Sequence, residues 1–137
     1  MARDLFHYTV RLALEKDGWT ITDDPLSLEY GGVGIQIDLG GEKLIAAQRN
    51  TDKIAVEIKN FVTASKISEF HTALGQFINY RTVLRLEEPD RILYLAVPLI
   101  VYDSFFNLPF TKLVVSENHI KILVYNVELE EIDTWIS

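Results

Sequence analysis

The chain has 137 residues, 48% of them hydrophobic and 24% charged, which is the balance of an ordinary globular domain with a real core. It contains no cysteine, which excludes disulfides, zinc–thiolate sites and cysteine nucleophiles, and which fits a reducing cytoplasm. The formal net charge of −7 argues against a general nucleic-acid binder, because affinity for phosphates depends on lysine and arginine. We therefore expect one cytoplasmic domain over residues 1–137.

Neither the start of the chain nor its apolar stretches indicate a membrane protein. Charged residues follow Met1 almost at once, so we expect no signal peptide. The longest apolar stretch, residues 93–102, is about half the length that a membrane span needs. Residues 43–85 hold seven basic and three acidic side chains, so this middle segment could accept a nucleic-acid strand weakly, although a solvated mixed surface explains it equally well.

The first half of the chain predicts a helix followed by short strands. Apolar residues at helical spacing predict a helix over residues 2–17, with Gly18 as its C-terminal stop. A short strand over 19–22 and a turn at 23–25 follow. Strands are then predicted over three alternating or apolar segments, which the turn signals arrange as an antiparallel meander. These segments are residues 33–39, 44–48 and 53–59.

The second half predicts a long helix and buried strands. Helical spacing predicts a helix over 66–86, with Ser65 as its N-cap and Glu69 in its first turn. The apolar run 91–97 predicts a strand that is covered on both faces. A short helix over 102–108 and a strand over 120–125 follow, and the acidic tail stays ambiguous. The fold class is therefore α/β, a mixed sheet flanked by helices.

Three charged residues on the predicted meander form a candidate site. Side chains alternate along a strand, so Glu57 and Lys59 share one face of the 53–59 strand, opposite its isoleucines and valine. By the same alternation Asp38 is expected on the side of the sheet that carries Glu57 and Lys59. Two close carboxylates repel unless a cation lies between them, and oxygen ligands favour Mg²⁺ or Mn²⁺. Such an ion would polarise a phosphate, and the lysine could orient a bound water or stabilise developing charge.

Two polar residues of the next helix extend this candidate site. Gln76 and Tyr80 lie four residues apart and therefore on one helical face, which can cover the end of the Glu57 strand. Each residue alone also has an ordinary interpretation. Glu-Ile-Lys is a common solvent-facing pattern, Asp38 before two glycines is a usual turn residue, and Gln76 and Tyr80 could serve packing. The joint order of these motifs is what favours a functional site.

This order of motifs resembles the restriction-endonuclease-like or PD-(D/E)XK superfamily. Gln76-Phe77-Ile78-Asn79-Tyr80 is similar to the Gln-x-x-x-Tyr motif of the RecB-type exonuclease branch. More closely, three segments resemble the XisH family, whose members are named as controlling factors for excision of the fdxN DNA element in cyanobacteria. These segments are Lys53-Ile-Ala-Val-Glu-Ile-Lys-Asn-Phe61, Ala73-Leu-Gly-Gln-Phe-Ile-Asn-Tyr80 and Arg91-Ile-Leu-Tyr-Leu-Ala-Val-Pro98.

The resemblance implies a role for each site residue. Asp38 and Glu57 would be metal ligands together with the Ile58 carbonyl, and Lys59 would be the catalytic lysine. His7 stands near the start of the first helix, where many superfamily members place another ligand. One implied function is metal-dependent DNA cleavage. The alternatives are a non-catalytic regulatory module that acts with a XisI-like companion protein, and a small-molecule-binding or structural protein. DNA would bind weakly or within a complex, and a homo-oligomer stays open.

Overall fold

A computed structural model describes residues 2–35 and 44–137 of the chain. Within these residues six strands form one mixed sheet, two short strands form a separate hairpin, and four α-helices accompany them. The helices are α1 (Ala2–Lys16), α2 (Lys66–Glu87), α3 (Leu99–Ser104) and α4 (Pro109–Glu117), with a 3₁₀ turn at Phe105–Asn107. The strands are β1 (Thr20–Asp23), β2 (Leu28–Tyr30), β3 (Val33–Ile35), β4 (Leu44–Arg49), β5 (Asp52–Ile58), β6 (Arg91–Pro98), β7 (Ile122–Asn126) and β8 (Glu131–Ile136).

The large sheet has the strand order β1-β4-β5-β6-β7-β8. Its three central strands, β5, β6 and β7, run parallel, whereas the β1/β4, β4/β5 and β7/β8 pairs are antiparallel. Parallel neighbours need a long crossover, and here α2 links β5 to β6 while α3 and α4 link β6 to β7. The predicted fold class, a mixed sheet flanked by helices, is confirmed.

Both faces of the central sheet are buried. Along β5 the side chains of Ile54, Val56 and Ile58 pack in the core that includes residues of α1. Ala55 lies on the other face, in the core that α2 covers. Glu57 shares that face, because it pairs with residues of the α2 core on both neighbouring strands. Helices α1 and α2 therefore cover opposite faces of the sheet.

The predicted helix ends are confirmed by their backbone geometry. Gly18, directly beyond α1, has a φ of +91°, a conformation that glycine adopts without steric cost. Ser65 is the N-cap of α2, and its hydroxyl accepts a hydrogen bond from the Ser68 backbone N–H at 3.3 Å. These local signals set where α1 ends and where α2 begins.

The predicted meander is confirmed only in part. β4 and β5 pair antiparallel as expected. The strand predicted over 33–39 differs, because its described part, β3, pairs with β2 in a separate two-stranded sheet. β2 was missed, since three residues are too few to show alternation. The remainder of the predicted strand, with Asp38, lies outside the described residues.

The C-terminal third contains more structure than the sequence predicted. The short helix predicted over 102–108 was wrong in its bounds, because α3 begins directly after Pro98 and ends at Ser104. The 3₁₀ turn and α4 follow, with Pro109 at the first position of α4. The ambiguous tail forms β8, which completes the edge of the sheet beside β7. Among the described helices, none combines the length and apolar character needed to span a membrane.

Candidate functional site

Glu57 and Lys59 are buried at the C-terminal end of the central strand β5. Glu57 is 0% exposed and Lys59 is 2% exposed, and both Glu57 carboxylate oxygens are shielded from solvent. The direct neighbours of Glu57 on the adjoining strands are apolar, Leu44 on β4 and Leu95 on β6. Glutamate and lysine are almost never fully buried in proteins unless they are paired. The solvent-facing interpretation of the Glu-Ile-Lys pattern is therefore wrong.

The backbone turns sharply directly after Lys59. The Lys59 N–H still donates to the Ala96 carbonyl of β6 at 3.1 Å. Two residues later Phe61 has a φ of 57°, in the left-handed region that bulky residues rarely adopt. The Asn60 side chain accepts from the Val62 N–H at 3.1 Å, and Lys66 donates to the Phe61 carbonyl at 3.2 Å. This hydrogen bonding holds a strained turn beside the buried pair, and such strain clusters at functional sites.

Helix α2 covers the face of the sheet that carries Glu57. Tyr80 is 4% exposed and belongs to the core formed between α2 and this face. Gln76, one turn earlier, is half-buried. Its side-chain Oε1 is shielded from solvent and accepts no hydrogen bond from the part of the chain that the structure describes. The predicted Gln-x-x-x-Tyr pair thus lies on a helix that packs on the sheet face carrying Glu57.

His7 lies on α1, the helix on the other side of the sheet. It is 8% exposed, and its Nε2 is 2.8 Å from an Asp24 carboxylate oxygen. The same oxygen accepts a hydrogen bond from Arg11 at 2.7 Å. In these contacts His7 and Arg11 together tie α1 to the loop before β2. The role of His7 as a metal ligand stays a prediction.

The remaining predicted ligands are Asp38 and the Ile58 carbonyl. Asp38 lies outside the described residues, so its distance from Glu57 stays a prediction. Ile58 is the last residue of β5, and its side chain packs in the α1 core. Ile58 can therefore serve the Glu57 face only through its backbone.

The donor chemistry at the end of β5 suits a hard divalent cation. Glu57 supplies buried carboxylate oxygens, which Mg²⁺ and Mn²⁺ prefer over nitrogen or sulfur ligands. Within residues 2–35 and 44–137 no cluster of three or more histidine, aspartate or glutamate side chains is placed to hold a metal ion. Asp38, the second carboxylate ligand that the resemblance implies, lies outside these residues, so the composition of a metal site stays a prediction.

A cleft of about 540 Å³ opens to the surface where β5 ends. Its wall includes Asn60 and Phe61 directly after Lys59, together with Lys66 of α2 and Ser104 of α3. Sequence reasoning missed this cleft, because it depends on the left-handed Phe61 and on α3, which no local pattern predicts. The cleft therefore borders the segment directly after the buried pair, and neither Glu57 nor Lys59 lines it.

The mixed sheet and the buried Glu57–Lys59 pair define an α/β domain with a polar site at the end of a central strand. A family model described as XisH protein matches residues 1–133. The chain belongs to the XisH family.

Solved structures of similar proteins have the same fold. The crystal structure of an XisH family protein from Nostoc punctiforme is 56% identical with a TM-score of 0.92, and the match covers 98% of this chain and 100% of that one. An fdxN element excision controlling factor protein from Anabaena variabilis is 58% identical with a TM-score of 0.91, covering 98% and 99%. No match was found among curated proteins.

Proposed function

We propose that the protein is a controlling factor for excision of a DNA element, and that it acts on DNA at a metal-dependent, PD-(D/E)XK-like site. The similarity to the Anabaena variabilis fdxN element excision controlling factor protein supports the first part. The complete burial of Glu57 and Lys59 at the end of β5 is the observation that carries the second part.

Burial carries this argument because it is costly. Moving a carboxylate or an ammonium group out of water costs several kcal/mol per ion (order of magnitude) even after the protein relaxes. A protein without a use for these charges could place apolar residues here, as it does at Leu44 and Leu95 on either side. Charged groups retained in such surroundings are candidates for a functional site.

In the proposed site each residue has a distinct task. Glu57, with Asp38 and the Ile58 carbonyl, would hold Mg²⁺ or Mn²⁺. The bound ion would supply Lewis acidity toward a phosphodiester oxygen and toward water. Lys59 would hold its ammonium group against the scissile phosphate, where negative charge develops. Tyr80 and Gln76 of α2 would support these groups from the helix above, since the Gln76 Oε1 is shielded from solvent.

A second candidate function is a non-catalytic module that controls excision through a XisI-like companion protein. Two features favour it, the formal charge of −7, which disfavours independent DNA binding, and apolar side chains around the cleft at the end of β5. Val62 is 64% exposed and Ile100 is 78% exposed. Exposed apolar side chains that border one cleft are typical of protein-binding surfaces.

A cleavage assay separates these two candidates. We expect the purified protein to nick or cut plasmid and linear DNA in Mg²⁺ or Mn²⁺ but not in EDTA, because hard oxygen ligands hold the required ion. The Glu57→Gln variant, purified in parallel, controls for contaminating nucleases and should leave DNA intact. If the wild-type protein cuts no form of DNA, either alone or with its XisI-like companion, the nuclease proposal is wrong and the accessory function remains.

A further inference from the structure

A second cleft, of about 210 Å³, lies at the opposite end of the parallel strands. It opens between the C-terminal half of α2, the start of β6 and the segment before β7, over apolar side chains that include Phe77 and Leu84. Its wall carries five basic side chains and, among the described residues, no acidic one. The basic residues are Arg81, Arg85, Arg91, His119 and Lys121. In a chain of net charge −7 this is a local concentration of positive charge.

Two of these basic residues already have structural partners. Arg91 donates to the Glu88 carboxylate at 2.9 Å and to the Ile54 carbonyl at 2.9 Å, so its charge is neutralised locally. Arg81 donates to the backbone carbonyl oxygens of Asn118 and His119, at 2.8 and 3.0 Å, which are dipoles rather than charges. The Arg81 guanidinium therefore keeps its positive charge without a counterion among the described residues.

The side chains of Arg85 and Lys121 make no hydrogen bond or ion pair with the residues that the structure describes. Arg85 is exposed and Lys121 is half-buried. Burial and, after it, the like charge of Arg85 lower the pKa of Arg81. The two guanidinium groups, one turn apart on α2, thus repel each other, and an anion bound between them would relieve this repulsion.

We propose that Arg81, Arg85 and Lys121 form a binding site for a phosphate group of the nucleic-acid backbone. This inference rests on the proposed function, since it names a second place on the protein, remote from Glu57, where DNA is held. Arginine matches phosphate geometry with paired N–H donors, and lysine adds a point charge. An acidic protein repels DNA over most of its surface, so a basic cleft would orient the duplex.

The position of this basic cleft suits a contact outside the reacting phosphate. Arg91, the first residue of β6, lines the basic cleft. Pro98, the last residue of β6, lines the cleft at the end of β5. Eight residues of strand span about 23 Å. That length corresponds to roughly seven base steps of B-DNA, so one duplex could contact both ends of the sheet.

Fluorescence anisotropy with a labelled duplex of roughly 20 base pairs tests this site, because each phosphate contact contributes to the salt dependence of binding. Ca²⁺ would replace Mg²⁺ so that binding is measured without cleavage. We expect Lys121→Gln and Arg85→Gln each to raise Kd about five- to tenfold and to reduce the slope of log K against log salt by about 1. Lys16→Gln is the matched control, an exposed lysine on α1, and should bind like wild type.

Three outcomes would overturn the inference. If wild type binds DNA and all variants bind equally well, the basic cleft is not a backbone contact, and the proposed function stands. If wild type binds neither duplex nor single-stranded DNA, the DNA-directed function fails as well. If inorganic phosphate or pyrophosphate binds and Lys121→Gln weakens it while DNA does not bind, the cleft is a small-anion site instead.

Discussion

Replacing Lys59 by alanine is expected to lower the rate of the proposed metal-dependent DNA cleavage about 10²- to 10³-fold while leaving the proposed metal binding intact. Removing a group that stabilises charge only in the transition state commonly lowers the rate by about this factor. Lys59 suits this role because it is 2% exposed beside Glu57, so its charge acts in surroundings that exclude water. Single-turnover cleavage with enzyme in excess measures the effect on the chemical step.

Lys53→Ala is the matched control for this experiment. Lys53 lies near the start of the same strand, four residues before Glu57, and is half-buried. We expect it to cleave at the wild-type rate. Lys59→Met keeps the length of the side chain without its charge and should be as slow as Lys59→Ala. A Lys59→Met variant that folds and cleaves at the wild-type rate would contradict the assigned role of Lys59.

Replacing Phe70 by alanine is expected to lower the free energy of unfolding by about 3–5 kcal/mol, the usual cost of removing a buried phenylalanine. Phe70 is 1% exposed at the start of α2. Its ring centroid lies 5.6 Å from that of Phe105 and 5.7 Å from that of Phe106. These rings join α2 to the 3₁₀ turn, so the loss would loosen the wall of the cleft at the end of β5. Urea denaturation measures the change.

Phe110→Ala provides a control of the same residue type in the same aromatic cluster. The Phe110 ring contacts Phe70 at a centroid distance of 6.4 Å but is 51% exposed. Because less area leaves water there, we expect a cost of about 1 kcal/mol. Equal destabilisation by the two variants would show that burial does not determine how much each phenylalanine stabilises the fold.

Much of the fold could be predicted because its central elements carry strong local signals. The alternation of β5 placed Glu57 on the face opposite Ile54, Val56 and Ile58, and the structure agrees. Ser65 predicted the start of α2, and its hydroxyl caps that helix in the structure. Such patterns depend on neighbouring residues only, so a single sequence is enough to recognise them.

The features that were missed either are too short for a periodic signal or depend on contacts distant in sequence. β2 is of the first kind, because it has only three residues. The left-handed conformation of Phe61 contradicts the preference of its residue type, and its surroundings impose it. Burial of Glu57 follows from the packing of α2 on its face of the sheet, which alternation alone does not reveal. The local pattern therefore identified the candidate residues but not how deeply they are buried.

Binding of Mn²⁺ tests whether Glu57 belongs to a metal site. Titration of the purified protein with Mn²⁺, followed by electron paramagnetic resonance, counts bound ions without requiring DNA or turnover. We expect saturable binding by the wild-type protein and by Lys59→Ala. Glu57→Gln, which has nearly the same shape without the charge, should lose that binding while melting cooperatively in EDTA. If folded Glu57→Gln binds Mn²⁺ as well as the wild-type protein does, or if the wild-type protein binds none, Glu57 is not a metal ligand.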